Sequence, residues 1–314
     1  MELEAQAQTQ TKTRAQAQQV VVLDDRTRKT YRYLRVAVVA LALLLMVSLL
    51  IEIATNDWNP AFGSISGFYY TPVRSVFVGA LVAVGPVLIA IKGRAGWEDS
   101  LLDVAGALVP VVALVPTPIL PVAGVYSCEV ADRKCVPEEL VHGVVNNVSA
   151  LLVVGAAGIV FAWWQSRGSD EVSARRGLMV AAVLWLITAV FLWVPALQGF
   201  FLKSAHYSAA ITFFVLLAGV AWVNGQRVAA RPSISDAASA RFRGAYRGIA
   251  TAMVVAALLT GVAFLLTWWA RVAMPFMTIF VIEAVLLLLF VAFWTLQTVE
   301  NWDIEASEDD PTAA

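Results

Sequence analysis

Charge is scarce in this chain. Of its 314 residues only 14% are Asp, Glu, Lys or Arg, where a soluble domain carries roughly a quarter. That deficit excludes an ordinary water-soluble domain, and a net charge of −1 gives no global attraction to nucleic acid. Cysteine and histidine are scarcer still, with two of each. Two cysteines cannot build a metal cluster by themselves, and two histidines cannot supply a three-histidine zinc site. The sequence has no Gly-rich phosphate loop, no HExxH and no GxSxG. These absences weigh against an enzyme without closing that reading, and no cofactor is implied.

What is present is apolar: 60% of the residues are hydrophobic. Eight stretches are close to the length of about 20 residues that a helix needs to cross the hydrocarbon core. They are Leu34–Ile53, Val73–Ile91, Leu101–Leu120, Val141–Trp164, Gly177–Leu197, Ser204–Val223, Ile249–Ala270 and Pro275–Leu296. The third is interrupted by Pro110, Pro116, Pro118 and Pro121. It reads as a short helix followed by extended chain, tolerated only inside a bundle. The expected fold is an all-α integral membrane bundle of about eight helices over residues 33–298. Residues 1–32, polar and rich in Gln, Ala and Thr, read as a disordered cytoplasmic tail, and 299–314 as an acidic, solvated one.

Orientation follows from the basic residues. With the N-terminus inside, the opposite face holds only Arg74, Arg133, Lys134, Lys203 and Arg271 of the 22 Lys and Arg residues. That bias places both termini in the cytoplasm and the loops 54–72 and 122–140 outside. Cys128 and Cys135 both fall in the second outer loop, a compartment that permits disulfides. A disulfide there would rigidify the loop. Free thiols, or a metal site with His142 and Glu138 or Glu139, are the other readings.

The longest polar interruption in the first half of the chain runs from Asp57 to Gly79. Thr71-Pro72 within it is a good helix start, with Thr as N-cap and Pro at the first helical position. Arg74 would then sit in the first turn, where the helix dipole favours an anion. It is also on the face where basic residues are sparse, so it calls for an anionic partner. Asp57 or Glu52 could clamp it, or it could bind the phosphate or carboxylate of a ligand. Tyr69 and Tyr70 read as interface anchors or pocket walls, and Ser64, Ser66, Gly63 and Gly67 as turn chemistry.

Four further polar residues fall in or near spans. His206, with Lys203 one turn earlier, lies at the outer end of the sixth stretch, and His142 at the outer end of the fourth. Glu283 sits inside the eighth among Phe280, Val281, Ile282, Ala284, Val285 and Leu286. A carboxylate there must be neutral, paired or facing water. Either it is a protonated acid bonded to Ser or Thr on a neighbouring helix, or it is a proton-coupling or substrate-cation site.

The run Ser64-Ile-Ser-Gly-Phe-Tyr69-Tyr70-Thr71-Pro72-Val-Arg74-Ser-Val-Phe77-Val-Gly79 resembles a motif of uncharacterised bacterial multi-pass membrane proteins. Ala113-Leu-Val-Pro116-Thr117 and Lys203-Ser-Ala-His206-Tyr207-Ser208-Ala209 resemble later segments of the same proteins. The resemblance covers about Ser64–Phe214. More distantly, the layout is similar to the Frag1/DRAM membrane group. It implies a helical protein of the bacterial plasma membrane and no established chemistry. Membrane lipids are the expected partners. The leading functional expectation is a non-enzymatic protein with an outer-side pocket for an anionic lipid headgroup or small ligand. Arg74, Tyr70, His206, Lys203 and His142 are its candidate residues. The alternatives are a proton-coupled transporter using Glu283, against which the lack of an internal repeat counts mildly, and a metal-assisted lipid hydrolase.

Overall fold

Each of the eight apolar stretches corresponds to one α-helix. In the computed structural model these are α1 (Glu2–Thr55), α2 (Arg74–Ala90), α3 (Trp97–Leu114), α4 (Glu138–Gln165), α5 (Val172–Trp193), α6 (Pro195–Val228), α7 (Asp236–Trp268) and α8 (Thr278–Ser307). The structure describes residues 2–56, 63–91, 97–122, 125–129, 133–168, 172–228, 236–268 and 277–307, with side chains from Lys29 to Trp302 apart from those of 172–174 and 236. Asp57, Lys92, Arg94 and Arg271 lie outside the described residues, as does part of each outer loop and of the acidic tail. Among the described residues six helices are long and apolar enough to cross a membrane: α1, α4, α5, α6, α7 and α8. The helix α2 is apolar but shorter. The helix α3 opens on Glu98 and Asp99 and ends early.

Proline sets two of the boundaries. α5 stops at Trp193 and α6 begins at Pro195, two residues before the predicted end of the fifth stretch at Leu197. The residue before a proline is steered away from helical geometry, and proline itself is well suited to a first helical position. The amide of Gln198 closes the corner, its Nε2 donating to Leu192 O at 3.0 Å. α3 stops at Leu114, ahead of Pro116 and Pro118, and the chain runs on extended to Ile119. This extended segment is buried: Val115 and Thr117 are 0% and 3% exposed.

Extended backbone inside a membrane bundle requires partners for its polar groups. The N–H and C=O of Ile119 bond those of Cys135, both at 2.9 Å. The carbonyls of Val115 and Thr117 accept from side chains of other elements, His206 and Tyr70.

α3 and α6 form the middle of the bundle, with α2 and α5 against α3 and α7 against α6, while α1 and α8 close the remaining side. Lipid offers no hydrophobic force between helices, so small residues that admit close backbone contact matter. Gly85 of α2 and Gly106 of α3 face each other so closely that a Cβ on Gly106 would stand 2.6 Å from the Gly85 carbonyl oxygen.

At the end of the bundle where α3 and α7 begin, aromatic rings fill the core. Tyr246, Phe293 and Trp294 are fully buried there, and the last two meet edge-to-face at 5.1 Å. Glu98 is buried beside them. Arg227 of α6 forms an ion pair with it, and Asn224 Nδ2 and Gln297 Nε2 donate to its Oε1 at 2.9 and 3.4 Å. A buried carboxylate is tolerable when paired and hydrogen-bonded in this way.

Candidate functional site

At the opposite end of the bundle lies a second polar centre, assembled from three distant parts of the chain. The turn Ser66–Tyr70 is a single 3-10 helix whose five residues are all buried. It forms because Ser64 holds the N–H of Gly67 through both its carbonyl and its hydroxyl, at 3.1 and 2.9 Å. This tight turn presents Ser66 to the bundle interior.

Ser66 meets Glu283 of α8 twice. Its N–H donates to Oε2 at 3.0 Å, and its Oγ lies 2.9 Å from Oε1. The same Oγ lies 2.9 Å from Nε2 of His206 on α6, and Nδ1 of that histidine is 2.7 Å from Val115 O. His206 is 1% exposed. The carboxyl group of Glu283 and the imidazole of His206 are therefore joined through one hydroxyl.

The hydrogens of this trio follow from its donors and acceptors. A backbone carbonyl only accepts, so Nδ1 of His206 carries a hydrogen. Ser66 has one hydroxyl hydrogen. With an ionised Glu283 and a neutral His206, Ser66 Oγ would face two acceptors with a hydrogen for only one. A single further proton satisfies every contact. Placed on Glu283, it is donated to Ser66 while Ser66 donates to Nε2; placed on Nε2, it is donated to Ser66 while Ser66 donates to Oε1. Each form is electrically neutral across the trio, as apolar surroundings require. Moving both hydrogens along the same line interconverts them.

A parallel chain of bonds runs beside it. Tyr70 OH donates to Thr117 O at 2.8 Å, and Thr117 Oγ1 donates to Tyr207 OH at 2.5 Å. Burial pushes the Tyr70 phenol above its ordinary range, which keeps it a neutral donor. Tyr70 also packs edge-on against Tyr126 at 5.2 Å.

Ser66, His206 and Glu283 line a cavity of about 100 Å³ whose other walls are largely apolar. A second cavity of about 70 Å³ continues it, and its lining is entirely apolar. The two share Leu45, Leu81, Val112, Ala210, Phe214 and Leu287.

The remaining sequence candidates stand elsewhere. Arg74 begins α2 and is exposed. Its guanidinium lies 4.5 Å over the Tyr69 ring and donates to Tyr69 OH at 3.0 Å, a cation–π and hydrogen-bond pairing within five residues. Lys203 and His142 are exposed on α6 and α4, and neither lines the cavity. Cys128 and Cys135 form a disulfide with Cα atoms 6.1 Å apart. Among the described residues no group of three or more His, Cys, Asp or Glu could hold a metal.

Sequence reasoning missed Ser66, which a Gly-rich setting explains as turn chemistry. It also missed the carbonyl acceptors of Val115 and Thr117, although the two prolines around Thr117 are the signal that carbonyls there lose their helical partners.

Fold and site together define an all-α, multi-pass membrane-embedded protein with a buried acid–hydroxyl–imidazole trio lining a largely apolar cavity. No family model, curated protein or solved structure matches the chain.

Proposed function

We propose that this protein is a proton-coupled transporter in which Glu283, Ser66 and His206 carry the proton. The observation behind this reading is the shared Ser66 hydroxyl, 2.9 Å from both the Glu283 carboxyl and the His206 ring. An ionisable residue in a span is costly and needs a role or a partner. Here the partners form a hydrogen-bonded trio that lines a cavity and has room for one further proton. The interrupted α3 fits the same reading, since irregular backbone at membrane depth belongs where it lines a site. The basic-residue bias supports an orientation with both termini cytoplasmic and the relay near the outer side.

A second reading rests on Arg74. Its exposed guanidinium at the start of α2 could contact an anionic lipid headgroup, with Tyr69 holding it in place. The relay and this contact are compatible.

The transport reading is tested by reconstituting the protein in proteoliposomes with an imposed pH gradient. The external solution holds a defined mixture of amino acids, sugars, nucleosides, alkylamines and quaternary ammonium compounds. Gradient-dependent accumulation of one class, lost in Glu283→Gln, is expected. Accumulation that ignores the gradient, or that survives in Glu283→Gln, contradicts it.

A further inference from the structure

From the charge and shape of the paired cavities we infer that the transported substrate is a lipophilic cation, which displaces the relay's proton. This rests on the transport reading above and names its substrate class.

The groups facing Glu283 decide the charge. α6 contributes His206 and Tyr207, the 66–70 turn contributes Ser66, and α7 contributes Thr260. α1 and α2 contribute only apolar side chains such as Leu45 and Phe77. Among the described residues no Lys or Arg lines either cavity. Among the described residues Glu283 is the one carboxyl group in the lining and His206 the one imidazole. A substrate carrying its own anion would meet a carboxyl group and no fixed cation.

The hydrogen-bond count points the same way. With Glu283 ionised and His206 neutral, the trio carries one net negative charge, and Oε1 and Nε2 have a single Ser66 hydroxyl hydrogen between them. A proton neutralises that charge and satisfies the second acceptor. A cation lodged in the cavity beside Oε1 neutralises the same charge electrostatically, with Ser66 then donating to His206 Nε2. Proton and cation are thus alternatives at one carboxylate. When the cation enters, the proton leaves Glu283 for water, and the charge of the site is conserved. Such mutually exclusive binding is the thermodynamic basis of exchange between a proton and a substrate.

Shape supplies the second half of the class. Phe77, Tyr207 and Phe214 line the same cavity as Glu283, and ring faces attract quaternary ammonium groups. The second, wholly apolar cavity leads away from that polar end to Phe290. Its walls can only take hydrocarbon. A cationic head at Glu283 with an alkyl tail directed toward Phe290 fits both lobes.

The probe is octyltrimethylammonium, which has no proton of its own to lose. Binding to the full-length protein in zwitterionic nanodiscs is followed by calorimetry in buffers of different ionisation enthalpy, with empty nanodiscs subtracted. About one proton released per bound cation is expected, with affinity rising by up to about tenfold per pH unit while the site is protonated. Octanol is expected to release none. Glu283→Gln should lose both binding and proton release, and Glu283→Asp should keep the one-for-one exchange at lower affinity. Ala210→Phe, which fills the region shared by the two lobes, should weaken binding at least tenfold. Binding without proton release, or equal competition by octanol, overturns the cation inference while a Glu283-dependent titration in the unliganded protein still upholds proton coupling. If that titration is itself missing, the transport reading falls as well.

Discussion

Nε2 of His206 and Oγ of Ser66 stand 2.9 Å apart across 140 residues of chain. The contact depends on two irregular pieces of backbone. One is the 3-10 turn that lifts Ser66 into the bundle; the other is the extended segment after α3, whose Val115 carbonyl orients the imidazole. A continuous α3 would tie up that carbonyl, and His206 would then lose the partner that fixes its tautomer. The break in α3 and the relay are one feature.

Ser66→Ala removes the hydroxyl that both Glu283 and His206 use. It leaves two buried polar groups short of a partner, so a loss of about 1–3 kcal/mol per orphaned group is expected. Thermal unfolding in detergent measures it. Ser66→Thr, which keeps the hydroxyl, should recover part of the loss. Unchanged stability in Ser66→Ala would show that the trio is not bonded as described.

Gly106→Ala places a methyl group 2.6 Å from the Gly85 carbonyl oxygen and 2.7 Å from Ile89 Cγ1. Backbone cannot yield as a flexible side chain can, so α2 and α3 must separate. The expected cost is about 1–3 kcal/mol of overpacking. At Gly158, where a Cβ meets nothing within 4 Å, the same substitution should be harmless and serves as the control. A comparison of melting temperatures for the two variants checks this.

Arg227→Met leaves Glu98 buried with only the amides of Asn224 and Gln297. Stranding a buried charge costs roughly 3–5 kcal/mol, and the partial exposure of the arginine places the expected loss at the lower end. Adding Glu98→Gln to the same chain should restore much of it, because the double variant has no charge to strand. A double variant less stable than Arg227→Met would contradict this account.

Much of the fold could be read directly from the residues. Each span declares itself by an apolar run of membrane length, and Glu283 by its isolation among hydrocarbon side chains. The proline cluster after Leu114 foretells the broken third helix. The relay was far less legible. Ser66 and Glu283 are separated by 217 residues, and a serine beside glycine already has a local explanation. Backbone acceptors such as Val115 O have no side-chain signature at all. Glu98 was hidden for a related reason. Within Trp97-Glu-Asp it reads as an acidic helix start at the membrane surface, and only the packing of α6 and α8 reveals that it is buried. Arg74 was conspicuous because it opposes both the helix dipole and the basic-residue bias, and its structural partner turned out to be the aromatic Tyr69 five residues earlier.

Reduction of the Cys128–Cys135 disulfide should loosen the outer loop and spare the bundle. The bond closes a short loop, for which chain-entropy arguments give about 2 kcal/mol. Hydrogen exchange at the amides of Ile119 and Cys135, which bond each other's carbonyls, should quicken on reduction. Exchange within α6 and α8 should not change. Quickened exchange throughout would mean that the loop holds the whole bundle together.

The central claim is that Glu283 and His206 share one proton through Ser66. Infrared difference spectroscopy of the protein in lipid, during a pH titration, measures it most directly. The carboxyl band is assigned with Glu283→Gln and the imidazole bands with ring-labelled histidine and a His206 variant. The account predicts that at neutral pH the site holds one proton, seen as a carboxylic acid or an imidazolium. It predicts that raising the pH removes that proton in one step that moves the Glu283 and His206 bands together, and that Ser66→Ala separates the two. A Glu283 carboxylate beside a neutral His206 at neutral pH, with bands titrating independently, would contradict it.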